Sequence, residues 1–462
     1  MKLSFFQIVV LSTFGALAVA GVMVFAFFVS TNSTATIGEV EVWGTLDEGA
    51  FGTVLQQLAE EDGRLRAVSY VQKDEASYAR ELADALASGT GPELFIMTQD
   101  AAERDGGKVY PIPYESFSRE QFQNSFVESA NPFMGVDGVR AIPFLVDPLV
   151  LYWNRDMLAT AGFAKPPAYW DEFYDLSSKV TKRDQANTVE RSAVAFGEYR
   201  NVDHAKDIVS LLILQAGGKV TARDAGGQLR PMLVSRGSEV TQPSESALRF
   251  YTEFANPARN FYSWNRAQRE SRAAFGAGTL ALYIGLASEE PLLRSINPNL
   301  NFAIAAIPQI RSKDNFINVG TVYAFAIPRT GSNPQGALTV AYLLASARSS
   351  TFLSQAIGMP SARRDVLSTV VGCFECLQDS TSCTSVEQQD QCVATFQATP
   401  VTGTDYLFNK QAIITRAWTD PNPEGTDTVF RDMIESITSG SARLTEAIQR
   451  AEAALGVVIG GQ

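Results

Sequence analysis

Residues 142–173, IPFLVDPLVLYWNRDMLATAGFAKPPAYWDEF, constrain the fold more than any other stretch of the chain. Phe144 to Trp153 is apolar almost throughout and rich in β-branched and aromatic residues, interrupted only by Asp147-Pro148. Such a run suits a strand covered on both faces and broken once. Asn154-Arg155-Asp156 ends it, Gly162 stops the short helix that follows, and Trp170-Asp171-Glu172 opens a further helix after the Pro166-Pro167 connector. A long strand broken by Asp-Pro can cross between two lobes and carry a carboxylate at the crossing.

A chain of 462 residues exceeds one simple core, so two domains or one split domain are expected. The apolar fraction of 45% is that of a globular protein, and the net charge of −12 argues against a nucleic-acid partner, which needs a basic face. Phe5 to Val29 carries no charge, and as a helix it would extend about 37 Å, enough to span a bilayer. Ala18-Val19-Ala20 resembles a signal-peptidase site, but Met23 to Val29 beyond it is again strongly apolar, which favours an uncleaved anchor at residues 5–29. A short Ser/Thr-rich linker, 30–36, follows, and the sparse positive charge before the span places the main body outside.

All four cysteines, Cys373, Cys376, Cys383 and Cys392, fall within 20 residues. The spacing matches no standard zinc ribbon and no His lies nearby, so two disulfides pinning a loop are expected over a metal site. Three pairings are open.

From Val40 the chain reads β-α-β-α-β: strands at Val40–Trp43, Ala67–Val71 and Glu93–Met97, with apolar helical stripes between them. This order implies a mostly parallel sheet with helices on both faces. A second α/β stretch begins after Asp147, with strands expected at Ala193–Phe196, Thr279–Ile284 and Phe302–Ile307, and helices at Ile208–Leu214, Ala247–Phe254 and Gln268–Phe275. Val319–Ile327 (VGTVYAFAI) is a second long apolar strand. A chain that crosses twice on such strands makes two discontinuous lobes joined by a hinge, which can close around a ligand.

His204 is the only histidine, which nearly removes His-based triads and His-rich metal sites. No nucleophile elbow or phosphate-cradling Gly-rich loop is present. Fifty acidic residues leave a carboxylate-based glycoside hydrolase open without positive support. Aromatic and acidic residues at strand ends are more suggestive: Trp43, Asp47 and Glu48 around the first strand, Asp100 after the third, Asp147 at the first crossing, and Trp264, Tyr283 and Trp418 in the second half. Aromatic stacking and planar polar groups are what neutral sugars require, and open α/β sheets bind ligands beyond the carboxyl ends of their strands.

Nine motifs follow one another along the chain: Val40–Trp43, the ASGTGPE turn at Ala87–Glu93, Val150–Phe173, LILQAGG at Leu212–Gly218, FGAGTLAL at Phe275–Leu282, AAIP at Ala305–Pro308, Gly320–Pro328, Trp418–Pro421 and Phe430–Gly440. In this order they resemble the carbohydrate-binding (maltose-binding-protein-like) family of extracellular solute-binding proteins, over most of the chain after residue 37. The resemblance implies a type II periplasmic-binding-protein-like α/β fold. Lobe I would hold 37–143 and 325–400, with a Cys-rich insertion at 371–395, and lobe II 147–320 and 405–457. It further implies a monomer without cofactor or catalytic residues that captures a small polar solute, a sugar, and delivers it to an ABC permease. A sensory module of the same fold without a transporter is the alternative. Asp47, Glu48, Asp100 and Asp147 would face the Tyr283 strand end and Trp418 across the cleft. Three departures stand out: Glu48 replaces a basic residue, the Tyr283 turn lacks a Trp, and no Cys follows the N-terminal span to carry a lipid.

Overall fold

The computed structural model describes residues 37–234 and 242–461 except 312, 314, 384, 399 and 400. The expected anchor, 5–29, and linker, 30–36, lie outside the described residues, among which no helix is long and apolar enough to cross a membrane.

Among the described residues the strands are β1 (Val40–Gly44), β2 (Val68–Gln72), β3 (Leu94–Thr98), β4 (Ile142–Asn154), β5 (Lys182–Arg183), β6 (Val189–Val194), β7 (Thr221–Arg223), β8 (Leu229–Pro231), β9 (Leu280–Leu286), β10 (Phe302–Ala305), β11 (Asn318–Ala326) and β12 (Thr415–Arg416). The main sheet runs β2-β1-β3-β11-β4-β9-β6-β5, with β10 added on β4 and β12 on β11; β7 and β8 form a separate hairpin. The β1, β2 and β3 strands are parallel, joined by helices Glu48–Glu61 and Glu75–Ser88. Asp47 and Asp74 cap those helices, and Gly89, at φ 72°, stops the second in the left-handed conformation that glycine adopts without steric cost.

β4 runs through both lobes. Every residue from Ile142 to Tyr152 is buried, as its two-faced apolar pattern demands. Its first half, up to Pro148, pairs antiparallel with β11; its second half, from Leu149, pairs with β9 and β10. β11 returns beside it, reaching β3 at Tyr323–Ala326. Among the described residues two large hydrophobic cores result, besides a small cluster around the cysteines. One includes Phe51, Phe95, Phe144 and Phe325 and the other Tyr152, Phe173, Trp264 and Phe430. Helix Gly403–Ile413 lies over the hinge rather than in lobe II: Phe408 joins the second core, Ala412 the first, and Tyr406 stacks on Phe374. The chain then passes into lobe II at β12, so the described residues cross three times.

Some boundaries differ from the sequence reading. β6 begins at Val189, ahead of the apolar run, because Val189 and Arg191 pair with the short edge strand β5 while Glu190 and Arg191 stay exposed. The helix expected from Gln268 starts at Ser271, because Asn265 folds the preceding segment into a turn by accepting from Ala267 N at 2.8 Å. The four cysteines pair as Cys373–Cys392, which ties helix Arg364–Gln378 to helix Val386–Ala398, and Cys376–Cys383, which ties the first helix to the connection between them.

At the hinge, Gly320 stands opposite Pro148. A Cβ on Gly320 would lie 2.5 Å from the Asp147 carbonyl oxygen and 2.8 Å from Pro148 Cα, so only glycine permits this approach. The Asp147 side chain is fully buried; its Oδ1 accepts from Ser288 N at 3.1 Å, and its Oδ2 has no hydrogen-bond partner. Burial pushes this carboxyl from 3.8 to about 6; the Ser288 hydrogen bonds oppose the shift, nearby Glu289 adds to it, and His204 opposes it.

Two outcomes are expected. Gly320→Ala forces the crossing strands apart and should cost about 1–3 kcal/mol, read as a lower urea midpoint. Because Asp147 binds its proton more tightly folded than unfolded, its charge penalises the native state as pH rises from about 4 through about 6. Asp147→Asn keeps the acceptor for Ser288 and removes the titration. Its urea midpoint should match the parent near pH 4 and exceed it by pH 7.

Candidate functional site

A cleft of about 910 Å³ lies between the lobes, floored by Val319–Thr321 of β11. Gln99 and Asp100 line it from lobe I; residues 199–210 and 416–431 line most of the rest. A further chamber of about 350 Å³ adjoins it on the lobe I side, sharing Asp100, His204, Thr321 and Pro423.

Each wall is fixed by local chemistry. In lobe I the Gln99 amide staples the loop after β3 to the hinge strand, donating to Gly320 O at 3.2 Å and accepting from Val322 N at 2.5 Å. That holds Asp100 over the floor, where Oδ1 accepts from Thr98 Oγ1 at 2.5 Å. In lobe II, His204 takes a left-handed φ of 58°, at a cost of about 1 kcal/mol, and starts helix Ala205–Gln215 at the cleft. Helix Pro423–Thr438 starts there too, with Asn422 accepting from Gly425 N and Pro423 at a position that needs no N–H.

Between the two helix starts, Lys206 Nζ donates to Asp420 Oδ2 at 2.7 Å and to Thr426 Oγ1 at 2.8 Å, while Thr426 donates to Asp420. Burial works against the Lys206 ammonium, yet Asp420, with Asp100 and Asp207, holds its pKa above the usual lysine range. The Asp420 carboxyl is lifted by burial, with Lys206 opposing and Asp100 adding. Lys206 and Asp100 line the cleft from different lobes, so their charges face each other across it.

Beneath the cleft lies a second network. Glu289 Oε1 meets His204 Nε2 at 2.5 Å, and Oε2 accepts from Tyr283 Oη at 2.6 Å and Arg272 Nε at 2.8 Å. Burial alone would raise Glu289, but His204 and Arg272 bring it down to about 2. Burial disfavours the His204 charge; Asp207 and Glu289 overcome this and raise it to about 10. The imidazole is therefore a charged anchor for the helix start, with no free base at neutral pH.

The structure brings together Asp100 and Trp418 of the residues expected from sequence. Trp418 Nε1 donates to Ser210 Oγ at 3.2 Å, and its ring stacks on Phe430 at 6.0 Å, which fixes the indole in the wall. Asp147 sits in the hinge behind the floor. Tyr283 is in the core with its hydroxyl on Glu289, and Trp264 is fully buried, donating to Asn201 Oδ1 at 3.1 Å. Trp43, Asp47 and Glu48 do not line the cleft. Trp43 donates to Glu41 and lies 3.6 Å from the Lys73 ammonium, Asp47 is a helix cap accepting from Ala50 N at 2.7 Å, and Glu48 opens that helix. An acid after a strand serves a helix start as well as a ligand, so position alone does not separate the two.

Sequence reasoning missed Gln99, Lys206, Asp420 and Tyr199, whose hydroxyl bonds Asp427 in the cleft. Gln99 adjoins Asp100 and could have been taken with it. Lys206 and Asp420 are 214 positions apart, and no local pattern announces such a pair.

A family model for bacterial extracellular solute-binding proteins matches residues 54–371, well over half of the chain. Among solved structures, a solute-binding protein of an ABC transporter from Thermotoga lettingae, bound with α-D-tagatose, shares 20% identity. The match covers 92% of this chain and 100% of that one, with a TM-score of 0.60. A cyclic α-maltosyl-1,6-maltose binding protein from Arthrobacter globiformis shares 14% identity over 92% and 99% of the two chains, with a TM-score of 0.69. The sugar-binding protein MalE from Xanthomonas citri shares 14% over 92% and 98%, with a TM-score of 0.65. These likenesses carry the two-lobed fold, and the family match covers hinge strands and cleft floor alike. The chain belongs to the bacterial extracellular solute-binding protein family.

Proposed function

We propose that this solute-binding protein captures a sugar in the interlobe cleft and presents it to an ABC permease, with residues 5–29 tethering the extracytoplasmic body to the membrane. The observation that carries the reading is the cleft: a polar cavity of about 910 Å³ floored by the crossing strand, with a braced tryptophan in lobe II and a carboxylate from lobe I. Ligand pockets of about 300–1,000 Å³ hold small organic solutes, and an indole face with carboxylate acceptors suits a molecule that is apolar on its ring faces and hydroxylated at its edges. The sugars named for the structural neighbours support the same class. The family consists of binding proteins, which sets aside the hydrolase alternative. Function then rests on closure: a solute touching both lobes favours the closed state by its differential affinity for it, and the transporter reads that state.

Thermal-shift screening against mono- and oligosaccharides should raise the melting temperature for at least one of them. Stabilisation by a polyamine or peptide, with none by any sugar, would overturn the assignment. For a sugar that binds, Trp418→Ala and Asp100→Ala should each weaken the affinity roughly tenfold by calorimetry. Trp43→Ala and Asp47→Ala should leave it within about twofold, since neither residue lines the cleft. Membrane fractionation tests the tether: the full chain should sediment with membranes after high-salt washing, and a chain beginning at residue 37 should not.

A further inference from the structure

Two consecutive residues of lobe I, Glu103 and Arg104, each make an ion pair with lobe II. Arg104 Nη1 donates to Glu424 Oε1 at 2.7 Å, beside the cleft that Glu424 lines. Glu103 Oε2 accepts from Arg223 Nη2 at 2.7 Å; Arg223 stands on β7 and lines a separate crevice between the lobes, of about 360 Å³. Contacts at two separate places on the lobe boundary resist rotation about the hinge better than one.

The lobe I side is already built. Arg140 donates to Glu103 Oε2 at 2.7 Å and to the Ala102 carbonyl at 2.8 Å. Arg104 also grips Asp105, which is buried and bonded to Lys108 Nζ at 2.7 Å. Glu103 and Arg104 side chains are therefore held in place by lobe I alone, so pairing with lobe II costs little further side-chain freedom. The lobe II partners are held more lightly: Arg223 has one further bond, from Nη1 to the Gly227 carbonyl at 3.0 Å, and the Glu424 side chain is 66% exposed, with a helix-start position that is stable without Arg104. This asymmetry distinguishes a docking platform from two incidental surface pairs.

We propose that the Glu103–Arg104 loop is an electrostatic latch that raises the closed population of the protein independently of any solute. Opening separates Arg104 from Glu424 and Arg223 from Glu103 but leaves both lobe I residues with their own partners. The opened state therefore strands no buried charge, and the latch can be broken repeatedly. Because the pairs are partly exposed, salt screens them. The closed population should fall as ionic strength rises.

The test uses the full chain in nanodiscs without solute, so its result is independent of the sugar assignment. Spin labels at Gln56→Cys on the lobe I helix Glu48–Glu61 and Gln449→Cys on the lobe II helix Leu444–Gly460 report the interlobe distance by pulsed dipolar spectroscopy; both sites are exposed and the native cysteines are paired. Raising salt from about 50 mM to about 1 M should increase the longer-distance population roughly threefold or more. Glu424→Gln with Arg223→Met should show the larger open population already at low salt and lose the salt response, with circular dichroism and melting temperature confirming an intact fold. A variant distribution that coincides with the parent's at low salt, or an unchanged salt response, overturns the latch.

Discussion

Where β4 and β11 pass side by side between the lobes, Gly320 faces Pro148 with no room for a side chain, and both hydrophobic cores hang on these two strands. A wider separation there would break the ladder that joins lobe I to lobe II. A polar residue facing that junction is costly unless partnered, and Asp147 carries that cost through one unpartnered oxygen. The cleft exists because of the same geometry: strands that leave one core and enter another expose the segment between them, and Val319–Thr321 becomes the floor.

Around that floor the lobes contribute different chemistry. Lobe I offers short loops pinned to the hinge, above all Gln99–Asp100 and the charged turn that follows. Lobe II offers two helix starts tied together by Lys206, Asp420 and Thr426, resting on the Glu289 network. Charges are buried in both, yet each is met by hydrogen bonds or an opposite charge, the condition for keeping ions out of water without unfolding.

The hinge strand was legible because its residues have to be apolar on both faces, a pattern no exposed loop or one-sided strand shows. The parallel β1-β2-β3 unit was legible from alternating strand and helix periods. The site was legible only in part. Asp100 and Trp418 lie where aromatic and acidic residues at loop ends were expected, whereas Asp47 obeys the rule for capping a helix and Trp264 the rule for filling a core. Those uses draw on the same residue types as ligand binding. Lys206 with Asp420, and Arg223 with Glu103, join distant segments, so folding alone reveals them.

The paired helices that carry the cysteines have a different consequence. Cys376–Cys383 closes a short loop nested inside Cys373–Cys392, with separations of 7 and 19 residues. Both bridges join near neighbours, so closing them costs little chain entropy and needs nothing from either lobe. The segment can oxidise as soon as it reaches a compartment that permits disulfides, before the distant strands of the sheet have met. It is thus a covalently closed island whose integrity reports the redox history of the chain rather than the state of its hinge.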